Sequence, residues 1–202
     1  MRAFILGILG MAVLALAISA ADVQRGMELY QSKKYAEAEA ELREAVKEDA
    51  NDSQAAFYLG MALLEQDKNE EAVAVLKKAE QTQPASDQVK LGLARAYIKQ
   101  RQYEDAQAAL KEAEKINPDH PQIPLYRGML HAARKEYDAA IKDLEMAVKA
   151  NPEDAYAHYY LGLAYNGAKQ PDKMIVHFER FVDLAPKAPE AEKVRSVLRS
   201  VR

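Results

Sequence analysis

The chain contains no cysteine and no tryptophan, only four phenylalanines, and just eight glycines and eight prolines among 202 residues. Without cysteine there is no disulfide staple, no Cys-ligated zinc or iron–sulfur centre, no thiol catalysis and no lipidated-cysteine anchor. Neither sign of charge dominates: 28 Lys+Arg stand against 31 Asp+Glu, a net −3. That balance argues against an electrostatic grip on nucleic acid or anionic lipid. The remainder, 49% hydrophobic and 29% charged, is the composition of a folded chain, neither disordered nor fibrous.

Only one long hydrophobic run is present. Met1-Arg2 precedes an uncharged stretch from Ala3 to Ile18, and Ser19-Ala20-Ala21-Asp22 follows. One positive charge, a short apolar core and small residues before a candidate cut are the marks of a secretory signal peptide over residues 1–21. The run falls slightly short of the roughly 20 residues that span a bilayer, although an uncleaved membrane anchor is the competing reading. Export is expected on either reading: periplasmic in a Gram-negative host, otherwise secreted or membrane-associated. Removal of the segment leaves 27 basic and 31 acidic residues, a net −4.

The rest of the chain is one period repeated. Ala38, Ala72, Ala106 and Ala140 lie 34 residues apart, as do Leu42, Leu76, Leu110, Leu144 and Phe178. Parallel columns run through Ala45, Ala79, Ala113, Ala147 and Phe181, through Pro84, Pro118, Pro152 and Pro186, and through Gly26, Gly60, Ala94, Gly128 and Gly162. Five columns in register identify a helical repeat. Small residues at repeat positions 8, 20 and 27 let two helices approach closely, and position 24 shares a helical face with 20 and 27. Turns are expected at 66–69, 100–102 and 168–171, and the residue before each linker proline closes the second helix. No stretch alternates with period two, so no strand is expected.

This pattern resembles the tetratricopeptide repeat. Leu59-Gly60, Leu161-Gly162, Tyr97, Tyr165, Ala72, Phe178, Ala147 and Pro152 match its signature, and Tyr35, Tyr103 and Tyr137 fill the aromatic position that opens its second helix. The resemblance implies an all-α, right-handed α-solenoid of about five helix-turn-helix units over residues 22–186, divided near 22–52, 53–86, 87–120, 121–154 and 155–186. The departures are informative: Ala50 replaces a linker proline, Arg25 and Arg127 stand where Leu is usual, and the last unit carries Pro171, Met174 and Phe181. Terminal repeats lack a neighbour and are expected to be atypical. Residues 187–202 place Val194, Val197, Leu198 and Val201 at helical spacing, which predicts a C-terminal capping helix, with Pro189 in its first turn and Phe181 beneath it.

Catalytic constellations are absent. His120, His131, His158 and His177 are too scattered for an i, i+4 ligand pair, so no metal and no cofactor is expected. Gly162 to Gly167 is followed by Ala168 where a phosphate loop requires Lys. The carboxylates sit on solvated helix faces, with no pair singled out for acid–base work. Asn51-Asp52-Ser53 matches a glycosylation sequon, which matters only in a eukaryotic secretory host.

Function is therefore expected in binding. In the family that the chain resembles, the first helices line a concave groove. Residue by residue this implies a lining of Met27, Tyr30, Phe57, Tyr58, Met61, Leu91, Arg95, Leu125, Tyr126, Met129, Tyr156, Tyr159 and Tyr160. Such a surface suits a protein or peptide partner of apolar or amphipathic character, because Met and Tyr serve as adaptable and anchoring contacts. The Lys/Asn/Arg clamp by which some members hold a C-terminal carboxylate is missing. These features together lead to an exported, non-enzymatic scaffold that serves envelope-complex assembly. The alternative is a self-associating module held close to the membrane by an uncleaved N-terminal segment.

Overall fold

The computed structural model describes residues 22–201; the signal segment expected at 1–21 lies outside them. Every regular element among the described residues is a helix, and none is long and apolar enough to cross a membrane. The chain divides into two compact units between Gln100 and Arg101, in the turn inside the third repeat.

In the first unit, helix α1 (residues 22–31) is followed by α2 (Tyr35–Glu48), α3 (Ser53–Glu65), α4 (Asn69–Thr82) and α5 (Asp87–Lys99). Helix α3 packs on α2, α4 and α5. The second unit contains α6 (Tyr103–Ile116), α7 (Ile123–Ala133), α8 (Tyr137–Ala150), α9 (Ala155–Gly167), α10 (Pro171–Leu184) and α11 (Ala191–Ser200). Here α7 packs on α6, α8 and α9, while α10 lies between α9 and α11. Each unit is thus built of stacked helix pairs, the repeat architecture of an all-α solenoid.

The periodic columns explain this packing. Gly60 faces Leu76, and a Cβ on it would lie 2.6 Å from Leu76 Cγ, so position 8 is small because position 24 needs its space. Ala38, Leu42 and Ala45 are fully buried on α2, and Ala72 and Leu76 on α4. Helix starts follow capping chemistry: the Asp52, Ser86 and Asp154 side chains accept backbone N–H bonds at the heads of α3, α5 and α9. The second helices end at Thr82, Ile116, Ala150 and Leu184, two residues before each linker proline. Helix α2 stops in the same way at Glu48 although Ala50 replaces that proline.

Turns within the repeats hold a feature that the composition conceals. Lys33, Asp67, Arg101, Lys135 and Lys169 all adopt φ near +60°, and they lie 34 residues apart. The Lys68 N–H reaches Leu63 O at 3.0 Å and the Asp67 N–H reaches Leu64 O at 3.3 Å. This is a Schellman closure with a charged or polar residue in the left-handed site that glycine usually fills.

Helix α11 packs on α10 through Ala191, Val194 and Leu198. The buried stripe therefore lies one turn earlier than its valines suggest: Val201 is exposed and Val197 half-buried. Pro189 precedes the helix instead of occupying its first turn, since Glu190 is the N-cap residue. Phe181 is fully buried and its ring faces Tyr156 and Tyr159, at 6.0 and 5.0 Å.

Candidate functional site

In the first unit the residues expected to line a groove come from α1, α3 and α5. Four rings form a continuous chain: Tyr35 meets Tyr30 at 5.6 Å, Tyr30 meets Tyr58 at 5.7 Å, and Tyr58 meets Phe57 at 5.2 Å. These tilted and edge-on arrangements are the favourable ones for aromatic quadrupoles. Phe57 continues the chain towards α5, where its ring edge lies beside Gly92. Met27 packs on the small core of Val23, Ala45 and Ala55.

A charged pair adjoins these rings. Arg95 Nη2 lies 2.8 Å from Glu65 Oε1, with both side chains mostly buried. Burial pushes the Tyr35 phenol above its ordinary range, Glu65 adds to that shift, and Arg95 opposes it. Beside them, Lys99 Nζ bonds Asp67 Oδ1 at 2.7 Å and Leu64 O at 2.6 Å, which neutralises the carboxyl end of α3. Gln54 and Gln88 are exposed, forming a polar margin on the same helices.

The second unit presents Tyr156, Tyr159 and Tyr160 on α9. Tyr159 meets Tyr160 at 5.2 Å and Tyr156 at 6.3 Å. It also leans on Phe178 and Phe181 of α10, so this trio is part of the packing as well as surface. The Tyr156 hydroxyl donates to Glu190 Oε2 at 3.3 Å, tying the tail to α9. Burial, then the Glu190 charge, raises the Tyr159 phenol.

The thirteen expected lining residues therefore fall into two groups. Met61, Leu91, Leu125, Tyr126 and Met129 are buried, each at most 7% exposed, and contribute to the core. Met27, Tyr30, Phe57, Tyr58, Arg95, Tyr156, Tyr159 and Tyr160 remain half-buried and keep surface for contact. The expected lining left out Glu65 and Glu190, and placed Tyr35 only as the aromatic residue that opens α2. Glu65 lies one helical turn after Met61, and its role becomes visible only once α3 and α5 are side by side.

Both arginines in the Leu column have paired acids. Arg127 binds Asp143 through Nε and Nη2, at 3.0 and 2.8 Å, and Arg25 Nε lies 3.3 Å from Glu41. His131 contacts Glu136 at 2.5 Å and lies 3.6 Å from Asp143. Among the described residues, no group of three or more His, Cys, Asp or Glu could hold a metal ion.

Comparison with known proteins agrees with this architecture. Tetratricopeptide repeat models match residues 23–87, 63–124 and 156–188, and a TPR repeat model matches 128–167. The chain belongs to the tetratricopeptide repeat family. TTC0263, a TPR protein from Thermus thermophilus, is 23% identical with a TM-score of 0.76, over 90% of this chain and 97% of that one. MamA 41-end from Desulfovibrio magneticus RS-1 is 19% identical (TM-score 0.59, covering 85% and 97%). YrrB, described as a TPR protein with an unusual peptide-binding site, is also 19% identical (TM-score 0.53, covering 87% and 90%). At these identities the likeness concerns the fold. A search of curated proteins returns no match.

Proposed function

We propose that this TPR protein is an exported, non-enzymatic scaffold that binds an apolar or amphipathic protein segment and serves in assembling an envelope complex. The observation that carries the binding role is the chain of half-buried rings from Tyr35 through Tyr30 and Tyr58 to Phe57, beside the Glu65–Arg95 pair. Large amphipathic rings held in place by neighbours bind at low entropic cost. The peptide-binding site attributed to YrrB in its description supports the same use of the fold. Micromolar affinity needs about 8 kcal/mol, and a fully buried large side chain supplies roughly 1.5–3 kcal/mol. Several anchors must act together, and each unit offers at least three.

Export rests on the Ala3–Ile18 run. A reporter enzyme active only outside the cytoplasm, fused after Arg202, tests it directly; an inactive reporter at normal expression refutes export. Binding is tested by placing a photo-crosslinking phenylalanine analogue at Tyr58 or Tyr160 in cells, with exposed Lys78 as control. A discrete adduct at the tyrosine positions alone supports the groove. Equal labelling at Lys78 removes that support.

Self-association is the second reading, favoured by the exposed Ile116, Met146 and Val176 on the second helices of consecutive repeats. Sedimentation of residues 22–202 decides it, since a concentration-independent monomer eliminates this reading.

A further inference from the structure

The fold brings together two histidines that the sequence holds 19 residues apart. His158 on α9 and His177 on α10 face each other with their Nδ1 atoms 3.0 Å apart. We propose that this pair is a binding site for a borderline transition-metal ion, Cu(II) or Zn(II), with two imidazole ligands from the protein and water in the remaining positions.

The donor geometry supports this assignment. The second ring nitrogen of His158, Nε2, lies 3.1 Å from Pro152 O. A carbonyl only accepts, so Nε2 carries the proton and Nδ1 of the neutral ring holds a lone pair. Tying the outer nitrogen to a backbone carbonyl is how proteins orient a ligating histidine. His177 Nδ1 donates its proton to that lone pair in the metal-free protein. When an ion enters, that proton passes to His177 Nε2, both rings stay neutral, and each Nδ1 gives its lone pair to the ion.

Distance and rigidity agree with this role. Bonds of about 2.0–2.1 Å put two nitrogens about 2.9 Å apart at a right angle and about 3.3 Å apart in a tetrahedron. The observed 3.0 Å lies between these, so the separation suits either geometry once each ring turns to aim its Nδ1 at the ion instead of at its neighbour. The His177 ring is held by stacking on Tyr165, at 5.5 Å and 13°, and the Tyr165 hydroxyl donates to Glu145 at 2.5 Å. Both imidazoles are thus positioned by partners outside the site. They open onto a surface cavity of about 380 Å³ that is also lined by Glu179, Arg180 and Asp183, which gives water access to the ion. Nitrogen donors exclude Ca(II) and Mg(II), and among divalent ions they favour Cu(II) over Zn(II).

The test uses the metal-free full chain titrated with Cu(II) and, separately, Zn(II). One Cu(II) per chain should show nitrogen hyperfine structure from two imidazoles, and the H158Q/H177Q double variant should bind it at least 100-fold more weakly. Affinity within threefold of the parent, with the helical spectrum intact, overturns the proposal and leaves adventitious binding elsewhere. An independent readout needs no variant: in imidazole ¹⁵N spectra, Zn(II) should shift the Nδ1 signals of His158 and His177 and leave His120 and His131 unmoved. Shifts confined to the latter two would equally overturn it.

Discussion

Arg127 grips Asp143 with two nitrogens while the carboxylate is almost wholly buried, its side chain 9% exposed. They occupy repeat positions 7 and 23, where the second repeat carries Leu59 and Val75. The same two sites thus hold an ion pair in one repeat and an apolar pair in another. Replacing Arg127 with Ala leaves the buried carboxylate without its main partner and should cost about 2 kcal/mol. The double change Arg127→Leu with Asp143→Val should recover most of that loss, because it recreates the second repeat's solution. Urea denaturation of both variants checks this, and a double variant weaker than the single one contradicts it.

The left-handed turn residues give a prediction with the opposite sign. Lys169 and Lys135 are exposed at φ of 59° and 64°. Holding an L-residue there costs roughly 1–2 kcal/mol, against about 0.5–1 kcal/mol of chain entropy for glycine. Lys169→Gly and Lys135→Gly should each stabilise by up to about 1 kcal/mol, read as a rise in melting temperature. Lys169→Val should destabilise, since branching at Cβ aggravates the same clash.

Helix contact at Gly60 is a third case. A methyl group there meets Leu76 Cγ within 2.6 Å, too close without displacing α4. Gly60→Ala should cost about 1–3 kcal/mol as overpacking, despite alanine's better helix propensity. Unchanged stability would show that Leu76 can turn aside.

Much of this was legible in the sequence. The 34-residue columns predicted an all-α repeat, and the linker prolines placed the ends of four second helices within two residues. The site was less legible because a repeat position states which helix face a residue is on, not how deep it lies. Met61 and Met129 share position 9 with Arg95, yet both are buried while Arg95 pairs at the margin. Depth depends on neighbouring repeats, and the His158–His177 contact depends on the crossing of α9 and α10. Arg25 with Glu41 and Arg127 with Asp143 did leave a trace, since an acid stands 16 residues after each arginine.

Glu39 makes stability depend on pH. Burial alone pushes its carboxyl up, but hydrogen bonds from Lys68, Arg43 and Gln66 outweigh that and hold it below the ordinary range. A carboxyl depressed in the folded state stabilises above its unfolded value, about 4.3, and that contribution vanishes as pH falls through the folded value. Glu39→Gln should therefore be less stable than the parent at pH 7. The difference should shrink steadily below about pH 4. A difference that stays constant from about pH 7 to about pH 3 would mean that the three donors bind a neutral amide equally well.

The last prediction concerns the tail. Leu198 and Val194 are the buried anchors of α11 on α10, and Glu190 bonds Tyr156 on α9. In stacked repeats each helix pair depends on its nearest neighbours, so loosening α11 should first expose the helices beneath it. Leu198→Ala should cost about 2–3 kcal/mol, near the low end for a core leucine because one side faces solvent. Amide exchange should then accelerate most in α10 and α9, with α3 and α4 keeping the parent's protection. Faster exchange in α3 and α4 as well would mean that the two units open as one, and the cap would then govern the whole chain's stability instead of its last repeat.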